Sequence, residues 1–374
     1  MSNLLTAAVA ARLARVRNNA DALSLDALIV THLPNVRYLT GFSGTAGAVV
    51  LTPTRCLLVV DFRYVAAAHA LVAAIAPGLV GVEPVEQSYD EALVGVLRRE
   101  GSLRIGIEAS WLSVSRFNAL ATALAAAAPF PLQSDQPMPV IVPTERLVER
   151  VRVVKDEGEI ATMREAGRRL SAVARKIPAL VAAGRRECDV AFDLEVAMRE
   201  AGFSRPAFDT IVASGPNSAL PHARPTARRL EAGEPTVLDF GGVYDGYCVD
   251  LTRTVQLGSP REDLRRLYDA VEQAHAAAVA AVQPGARPSS IDAAAREVLE
   301  AHGLGAAFGH GTGHGLGLEI HEEPRVARSI AGRPDDPIEP GMVFTIEPGA
   351  YVPGVGGVRI EDDVLVTAGG CEVL

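Results

Sequence analysis

Lysines and closely paired cysteines are scarce in this sequence. Lys155 and Lys176 are its only lysines, and no function follows from that scarcity, since arginine supplies the other basic residues. The formal net charge is −9, so a nucleic-acid partner is not expected. The four cysteines are widely spaced and form no C-x-x-C pair, which argues against a disulfide framework or a thiolate metal site. A reducing cytoplasm is therefore the expected location.

Long uninterrupted hydrophobic runs are also missing. Residues 1–16 alternate arginines with apolar residues and predict an amphipathic helix rather than a secretory signal. The Ala-rich run at 119–128 is too short to span a bilayer. We therefore expect no membrane segment, and a chain of 374 residues is long enough for two domains.

A proline-rich segment divides the pattern of the chain. Pro137, Pro139 and Pro143 interrupt regular structure, so we predict two domains, 1–143 and 144–374. The first combines Ala-rich helical stretches with short apolar runs, which is typical of a small α/β domain. Its expected strands are 27–31, 48–51, 56–61 and 103–108.

The second domain is predicted to be α+β. An apolar stripe of helical period indicates a helix from about residue 156 to 176. A second helical stretch covers 262–282, and Ser289 or Ser290 is expected to cap a third helix. The strand-like segments between and after these helices contain isolated carboxylates.

The segment TVLDFGGVYDGYCVDLTRT predicts a β-hairpin. Asp245-Gly246 is a strong two-residue turn signal between apolar runs. With these residues at the centre of the turn, Asp239 faces Thr252, and Asp250 is its diagonal neighbour on the same side. Two carboxylates on one face repel unless a cation intervenes. A solvated face is the alternative, but Asp is a poor strand former and its neighbours here are apolar.

The segment GHGTGHGLGLEIHE contains His310 and His314, four residues apart. It is not the helical zinc motif of metalloproteases, because its glycines disfavour a helix and no Glu follows His310. It also lacks the G-x-G-x-x-G dinucleotide fingerprint. We predict an extended or irregular loop whose backbone closely approaches a site.

Two further segments, VFTIEPG and VRIEDDVLV, place Glu347 and Glu361 in strand-like runs that read as a hairpin-like pair. Either glutamate alone could be an edge-strand charge. Together with Asp239, Asp250 and His314 they form an oxygen-rich set that suits Mn, Co or Zn. Bridging carboxylates would hold two ions about 3.5–4 Å apart.

These motifs resemble the metallopeptidase family of aminopeptidase P and prolidase over nearly the whole chain. SGPNSALPH, LDFGGVYDGYCVDLTRT, GHGTGHGLGLEIHE, IEPG and GVRIEDD stand in the family's order. NVRYLTGFSGTAGAVVL and VVDFRY resemble the smaller domain that precedes the catalytic one. The resemblance implies a small N-terminal α/β domain followed by a pita-bread catalytic domain with a curved antiparallel sheet.

The resemblance also implies a dinuclear metal site, with Mn favoured and Co or Zn as alternatives. The implied ligands are Asp239, Asp250, His314, Glu347 and Glu361. Glu347 would in addition act as general base toward a metal-bridging water, which would provide a hydroxide nucleophile near neutral pH.

Further roles follow from the same resemblance. His222, His310 and His321 match histidines assigned to substrate binding, proton movement and stabilisation of the tetrahedral intermediate. Arg359 resembles an arginine that orients acidic ligands or the substrate carboxylate, and a surface arginine is the alternative.

The function implied is hydrolysis of the Xaa-Pro bond at the N-terminus of a di- or oligopeptide, by a homodimer. Proline leaves as a secondary amine that needs a proton, which suits a histidine donor. Dipeptidase and aminopeptidase specificities both stay open, and a broader-specificity aminopeptidase is an alternative. A metal-free creatine hydrolase and a non-catalytic peptide-binding relative share the fold, but all five ligand positions are intact here.

Overall fold

The strand Val140–Thr144 belongs to the first of the two units of this chain. In the computed structural model, which describes residues 2–126, 138–259 and 261–374, this strand pairs with Arg104–Glu108. The chain divides into Met1–Arg152 and Val153–Leu374. This division lies beyond the predicted boundary after residue 143, because the strand continues the first sheet. Residues 133–137 of the proline-rich segment lie outside the described residues.

The first unit is a six-stranded mixed sheet with helices. The strand order is β4-β3-β2-β1-β5-β6; β1 pairs antiparallel with β2 and parallel with β5. The strands are β1 (Ala27–Val30), β2 (Ala48–Leu51), β3 (Cys56–Val60), β4 (Gly81–Pro84), β5 (Arg104–Glu108) and β6 (Val140–Thr144). The helices are α1 (Ser2–Asp21), α2 (Leu33–Thr40), α3 (Val65–Ile75), α4 (Tyr89–Arg99), α5 (Val114–Ala126) and α6 (Glu149–Arg152).

Four of these strands were predicted to within about a residue at each end. The pattern missed β4 and β6, whose side chains are mostly half-buried or exposed and which each include a proline. The apolar alternation that reveals a buried strand is therefore weak in both.

The second unit contains antiparallel sheets and two pairs of longer helices. Its helices are α7 (Glu157–Ala174), α8 (Ile177–Leu180), α9 (Glu187–Glu200), α10 (Glu262–Ala281) and α11 (Pro288–Ala301). Its strands are β7 (Arg205–Pro206), β8 (Ile211–Ser214), β9 (Pro235–Tyr244), β10 (Tyr247–Gln256), β11 (Gly313–Gly315), β12 (Glu322–Val326), β13 (Val343–Ile346), β14 (Gly349–Val352), β15 (Gly356–Arg359), β16 (Asp362–Thr367) and β17 (Gly370–Val373).

These strands form a β10-β9-β7 sheet in which β8 also pairs with β9, a β12-β11-β13-β16-β17 sheet, and the separate hairpin β14-β15. A bridge between Thr252 and Glu361 connects the first two sheets. The predicted pairing of the last two carboxylate segments is confirmed by β13 and β16, where Ile346 faces Asp362. The β14-β15 hairpin is inserted between them.

Helices cover one face of each sheet. Leu238, Phe240, Val249 and Leu251 pack with α7 and α9 in one hydrophobic cluster. Phe344, Ile346, Val364 and Val366 pack with α10 and α11 in another. Because side chains alternate along a strand, the intervening residues point away from the helices. That other face carries the candidate ligands.

The predicted helix starts have different outcomes. Asp156 caps α7, accepting hydrogen bonds from Gly158 N and Glu159 N, both at 3.0 Å. The predicted capping of α11 by Ser289 or Ser290 is wrong, because the helix begins at Pro288. Ser289 Oγ instead donates to Asp335 Oδ2 at 2.6 Å, and Ser290 Oγ donates to the carbonyl of Arg287.

Among the described residues, every helix is either too short or too polar to cross a membrane.

Candidate active site

The β9-β10 hairpin presents the first two carboxylates on one face. Asp245 and Gly246 have φ of 43° and 81°, as a type I′ turn requires. The register pairs Asp239 with Thr252 and Asp250 with Gly241. The predicted register is therefore confirmed, and Asp239 and Asp250 both point away from the helices.

The second sheet supplies the other three candidate ligands. His314 lies on the short extended strand β11, as predicted for this Gly-rich segment, and Glu347 directly follows β13. Glu361 lies between β15 and β16, where its amide donates to the Thr252 carbonyl at 3.2 Å. Thr252 Oγ1 donates to Glu361 Oε2 at 2.6 Å. Thr252, directly opposite Asp239, thus brings the two sheets together.

Three of the candidate ligands form a compact cluster of possible metal-binding atoms. One donor atom each from Asp250, His314 and Glu361 lie within 4.8 Å of one another. Glu347 Oε1 is 3.6 Å from His314 Nε2. Asp239 is connected to this cluster through Arg359 and Thr252. Arg359 Nη2 is 2.5 Å from Asp239 Oδ2, Arg359 Nε donates to Thr252 Oγ1, and Thr252 Oγ1 donates to Glu361.

The carboxylates raise one another's pKa values. Burial, with Glu361 and Asp239 nearby, raises the pKa of Asp250 well above its ordinary value. Burial and the charges of Glu347 and Asp239 do the same to the pKa of Glu361. Burial raises the pKa of Glu347 to about 7, although Arg359 opposes the rise. Such a group of buried like charges is electrostatically unfavourable without a compensating cation.

The tautomer of His314 makes one nitrogen available as a ligand. Its Nδ1 is 3.0 Å from the carbonyl oxygen of Gly315, and a carbonyl can only accept, so Nδ1 carries the proton. Burial lowers the pKa of His314 to about 4, so the ring is neutral near pH 7. Nε2 therefore presents a lone pair toward Glu347, the arrangement found in metal-ligating histidines.

A hydrogen-bonded chain connects Asp239 to His310. Arg359 Nη2 donates to Asp239, and Nη1 donates to the Tyr351 hydroxyl at 2.6 Å. The Tyr351 oxygen is 3.1 Å from His310 Nε2. Because His310 Nδ1 donates to the carbonyl of Gly311 at 2.7 Å, Nε2 must accept from Tyr351. Burial lowers the pKa of His310 to about 4, consistent with a neutral ring.

Comparison with known proteins identifies the family. Residues 161–368 match Metallopeptidase family M24, and residues 12–154 match the Creatinase/Prolidase N-terminal domain. The chain belongs to metallopeptidase family M24. The predicted fold class is confirmed: an N-terminal α/β domain precedes an M24 pita-bread domain.

Several relatives in the M24 family match almost the full length. The chain is 33% identical to a Xaa-Pro dipeptidase from Pyrococcus horikoshii, covering 95% of this chain and 93% of the relative. A solved Xaa-Pro dipeptidase from Bacillus anthracis superposes with a TM-score of 0.89 at 35% identity, covering 98% of this chain and 97% of that one. An X-Pro aminopeptidase from Thermotoga maritima gives 0.83 at 31% identity, covering 95% and 97%.

The residues of this M24 chain fit the divalent metal ions that a metallopeptidase requires. Asp239 Oδ1 and Asp250 Oδ1 are buried and have no hydrogen-bond partner among the described residues. Buried carboxylate oxygens of native proteins rarely remain unsatisfied. Their orphaned state, together with the neutral Nε2 of His314, is the chemistry of a cation site.

The structure places the two remaining histidines at the edge of this group. The His321 ring packs edge-on against His314 with ring centroids 4.5 Å apart, and its side chain is exposed. His222 is also exposed, in the turn after the 3-10 helix Gly215–Ala219. Burial, with a further contribution from nearby His222, lowers the pKa of His321. All nine predicted site residues thus lie in the second unit.

Sequence reasoning missed Tyr351 and Thr252. Tyr351 pairs with Gly357 in the β14-β15 hairpin, which makes it a diagonal neighbour of Arg359. A separate hairpin in the stretch between IEPG and GVRIEDD would place Tyr351 beside Arg359, but no such hairpin was predicted from the sequence. Thr252 was placed opposite Asp239, but its bond to Glu361 spans 109 residues and has no local signal.

Proposed function

We propose that this protein is a Xaa-Pro exopeptidase, which removes the first residue from peptides whose second residue is proline. The observation that carries the proposal is the cluster of Asp250, Glu361 and Glu347 around His314, with buried oxygens of Asp239 and Asp250 left without partners. The names of similar proteins support the substrate class, since they include Xaa-Pro dipeptidases and an X-Pro aminopeptidase.

The proposed ligands of two divalent ions are Asp239, Asp250, His314, Glu347 and Glu361. The oxygen-rich donor set supports Mn, with Co and Zn as alternatives. When bound, such ions supply Lewis acidity toward the scissile carbonyl and make water more acidic.

Glu347 is the proposed general base. Its carboxylate is partly exposed and lies 3.6 Å from His314 Nε2, so a water molecule can reach it. Burial raises the pKa of Glu347 to about 7 in the absence of cations. We assign to its carboxylate the proton released by the attacking water.

The histidines are proposed to act on the substrate and the leaving group. A bond to proline has no N–H on its leaving side, and the departing secondary amine needs a proton. The exposed rings of His222 and His321 are the proposed substrate contacts and proton carriers. His310 is held by Tyr351 and the Gly311 carbonyl, so its proposed role is to stabilise the reacting carbonyl from a fixed position.

Arg359 is proposed to orient acidic ligands. Its guanidinium is buried and contacts Asp239, Tyr351, Thr252 Oγ1 and the Pro221 carbonyl. These contacts support the first of its two predicted roles over binding of a substrate carboxylate.

The test is hydrolysis of Ala-Pro, Ala-Pro-Ala and Ala-Ala-Ala by chelator-treated protein with and without added Mn(II). We expect Mn-dependent cleavage of the proline peptides, and loss of activity in Asp250→Ala but not in Asp269→Ala, a control on α10. Cleavage of Ala-Pro alone identifies a dipeptidase, and cleavage of Ala-Pro-Ala an aminopeptidase. Comparable cleavage of Ala-Ala-Ala identifies the broader-specificity alternative. No metal-dependent cleavage of any member would refute the proposal.

We also propose that the enzyme is a cytoplasmic homodimer. Its four cysteines are free, which is consistent with a reducing compartment. The dimer rests on the family resemblance alone. Light scattering after size-exclusion chromatography tests it, and a monomeric mass would contradict it.

A further inference from the structure

Helix α11 carries a buried ion pair that the reaction chemistry does not use. Asp292 and Arg296 lie one turn apart, with Arg296 Nε 2.5 Å from Asp292 Oδ2 and Nη2 3.1 Å from Oδ1. The exposed fractions of the two side chains are only 1% for Asp292 and 11% for Arg296. Exposed helical pairs of this spacing contribute little to stability, whereas a buried pair is costly to desolvate unless its remaining hydrogen bonds are satisfied.

Both partners make those remaining bonds to one Gly-rich segment, residues 308–312. Asp292 Oδ1 accepts from Thr312 N at 3.0 Å and from Thr312 Oγ1 at 2.8 Å. The Arg296 guanidinium donates to the carbonyls of Phe308, at 3.1 Å, and His310, and lies 4.2 Å from the centre of the Phe308 ring. The ion pair therefore anchors the segment at both ends.

This segment needs an external anchor. Gly309 and Gly311 flank His310, and Gly313 follows Thr312. Glycines lose the most conformational freedom on ordering, and residues 308–312 belong to no helix or strand. A loop of this composition does not hold an imidazole in place by its own propensity.

Two candidate site residues depend on the anchored segment. His310 lies within it and accepts a hydrogen bond from Tyr351 through Nε2. Thr312 accepts a hydrogen bond from the amide of Glu347 at 2.7 Å. A shift of Thr312 would thus displace Glu347, which directly follows β13.

We propose that Asp292 and Arg296 are positioning residues that fix His310 and Glu347 relative to each other. Their hydrogen bonds go to each other and to residues 308–312 rather than to the carboxylate cluster. What the positioning achieves rests on the proposed function, because it assigns Glu347 and His310 their chemical roles. The coupling itself is a property of the fold.

Four variants of the full-length protein test this inference. Thr312→Val removes the hydroxyl bond to Asp292, and Thr312→Ser keeps it. Arg296→Lys retains the charge but loses the forked contact with the two carbonyls. Arg265→Lys is the matched control, because Arg265 forms an (i, i+4) pair with Asp269 on the exposed side of α10.

Three quantities are measured: hydrogen exchange of the peptide containing the Glu347 amide, the Mn(II) affinity of the chelator-treated protein, and kcat and KM for Ala-Pro. We expect Thr312→Val and Arg296→Lys to accelerate exchange at Glu347, weaken Mn(II) binding and lower kcat about tenfold or more with a smaller change in KM. Thr312→Ser and Arg265→Lys should resemble the wild type.

The inference is overturned when both disruptive variants lower only the melting temperature, with exchange at Glu347, Mn(II) affinity and kcat unchanged. That result would leave the pair a stabilising contact of α11. A wild type that cleaves none of the peptides would refute the proposed function instead. The exchange measurement would still decide whether the pair positions Glu347.

Discussion

At the scale of single residues, Tyr351 connects groups from separate motifs. Its hydroxyl accepts from Arg359 at 2.6 Å and donates to His310 Nε2 at 3.1 Å. Burial raises the pKa of Tyr351 to about 12, although Arg359 opposes the rise, so the hydroxyl keeps its proton near neutral pH. One O–H group thereby orients both the arginine at Asp239 and the imidazole.

Replacing Tyr351 with Phe should lower kcat/KM for Ala-Pro about tenfold. A hydrogen bond to a charged group contributes about 1.5–3 kcal/mol, and both Arg359 and His310 lose a partner. Steady-state kinetics with saturating Mn(II) measure the effect. Tyr244→Phe is the control, since the contacts of Tyr244 with Phe203 and Arg169 are made through its ring. Equal kinetics for the two variants would show that the Tyr351 hydroxyl has no catalytic consequence.

At the scale of secondary-structure elements, β11 can hold His314 only because the residues on either side of it, Gly313 and Gly315, lack side chains. A Cβ on Gly313 would lie 1.8 Å from the carbonyl oxygen of Thr345, and one on Gly315 would lie 2.1 Å from that of Glu323. Real atoms do not approach so closely. The strand is thus pressed between the backbones of Thr345 and Glu323, a close approach that only glycine permits.

Gly313→Ala should therefore separate β11 from β13 and displace His314. We expect a lower melting temperature and Mn(II) binding weakened at least tenfold, because a ligand at the wrong position is nearly as damaging as its loss. Gly309→Ala is the matched control in the same loop, since a Cβ there meets nothing within 4 Å. Thermal melting and metal titration provide the measurements. Two variants that behave alike would contradict this account of β11.

A second element, α9, holds the loop of His222 through one buried carboxylate. Glu187, at the first residue of the helix, accepts from Ser214 N and Asn217 Nδ2 on one side of that loop. It accepts from Thr226 N and Oγ1 on the other side. Burial would raise the pKa of Glu187, but these hydrogen bonds outweigh it and leave the pKa below its ordinary value.

Glu187→Gln should destabilise the protein by about 2 kcal/mol at pH 7, since buried donors lose a charged acceptor. The folded-state pKa lies below the unfolded value of about 4.3, so the stabilisation is present above that pH and decreases as the pH falls further. Urea unfolding of both proteins from pH 7 to pH 3 should show their difference shrinking below about pH 4.3.

Glu200→Gln, on the exposed end of α9 where Glu200 pairs with Lys176 at 3.1 Å, is the control for that experiment. We expect it to change stability by less than about 1 kcal/mol. A Glu187→Gln difference that stays constant down to pH 3 would contradict the assigned role of the charge.

At the scale of the whole molecule, the buried carboxylates of the candidate site lower the stability of the fold when no cation neutralises them. Asp250 and Glu361 are buried beside other carboxylates, which raises both of their pKa values. Buried like charges destabilise the fold, and a ligand that binds only the folded state restores stability by mass action. The candidate ligands are all in the unit Val153–Leu374.

Removal of metal should therefore lower the melting temperature, and Asp250→Asn should reverse the order of stability. We expect the variant to melt above the wild type in chelator, because one of the repelling charges is gone, and below it in saturating Mn(II), because a ligand is lost. Mn(II) at 100 times its Kd corresponds to about 2.7 kcal/mol for one site. Calorimetry measures the melting temperatures of both proteins in chelator and in Mn(II). If Asp250→Asn melts below the wild type in chelator, the repulsion argument is wrong.

The amino-acid sequence was sufficient for those features that short-range chemistry encodes. Asp245-Gly246 specifies a two-residue turn, and the turn sets the register that places Asp239 and Asp250 on one face. The period of apolar residues located α7 and α10, and glycine content excluded a helix around His314. Residue type alone also predicted an oxygen-rich cation site, because few other arrangements tolerate several isolated carboxylates in strands.

Only the tertiary structure decided which groups meet across the fold. The Thr252 contact with Glu361, the Arg359–Tyr351–His310 chain, and the buried carboxylates of Glu187 and Asp292 join segments of different motifs or elements. Such contacts depend on how sheets and helices pack, and local propensity carries no information about them. The sequence therefore determined the candidate ligands and the hairpin that presents two of them, whereas packing determined how each is oriented, protonated and held.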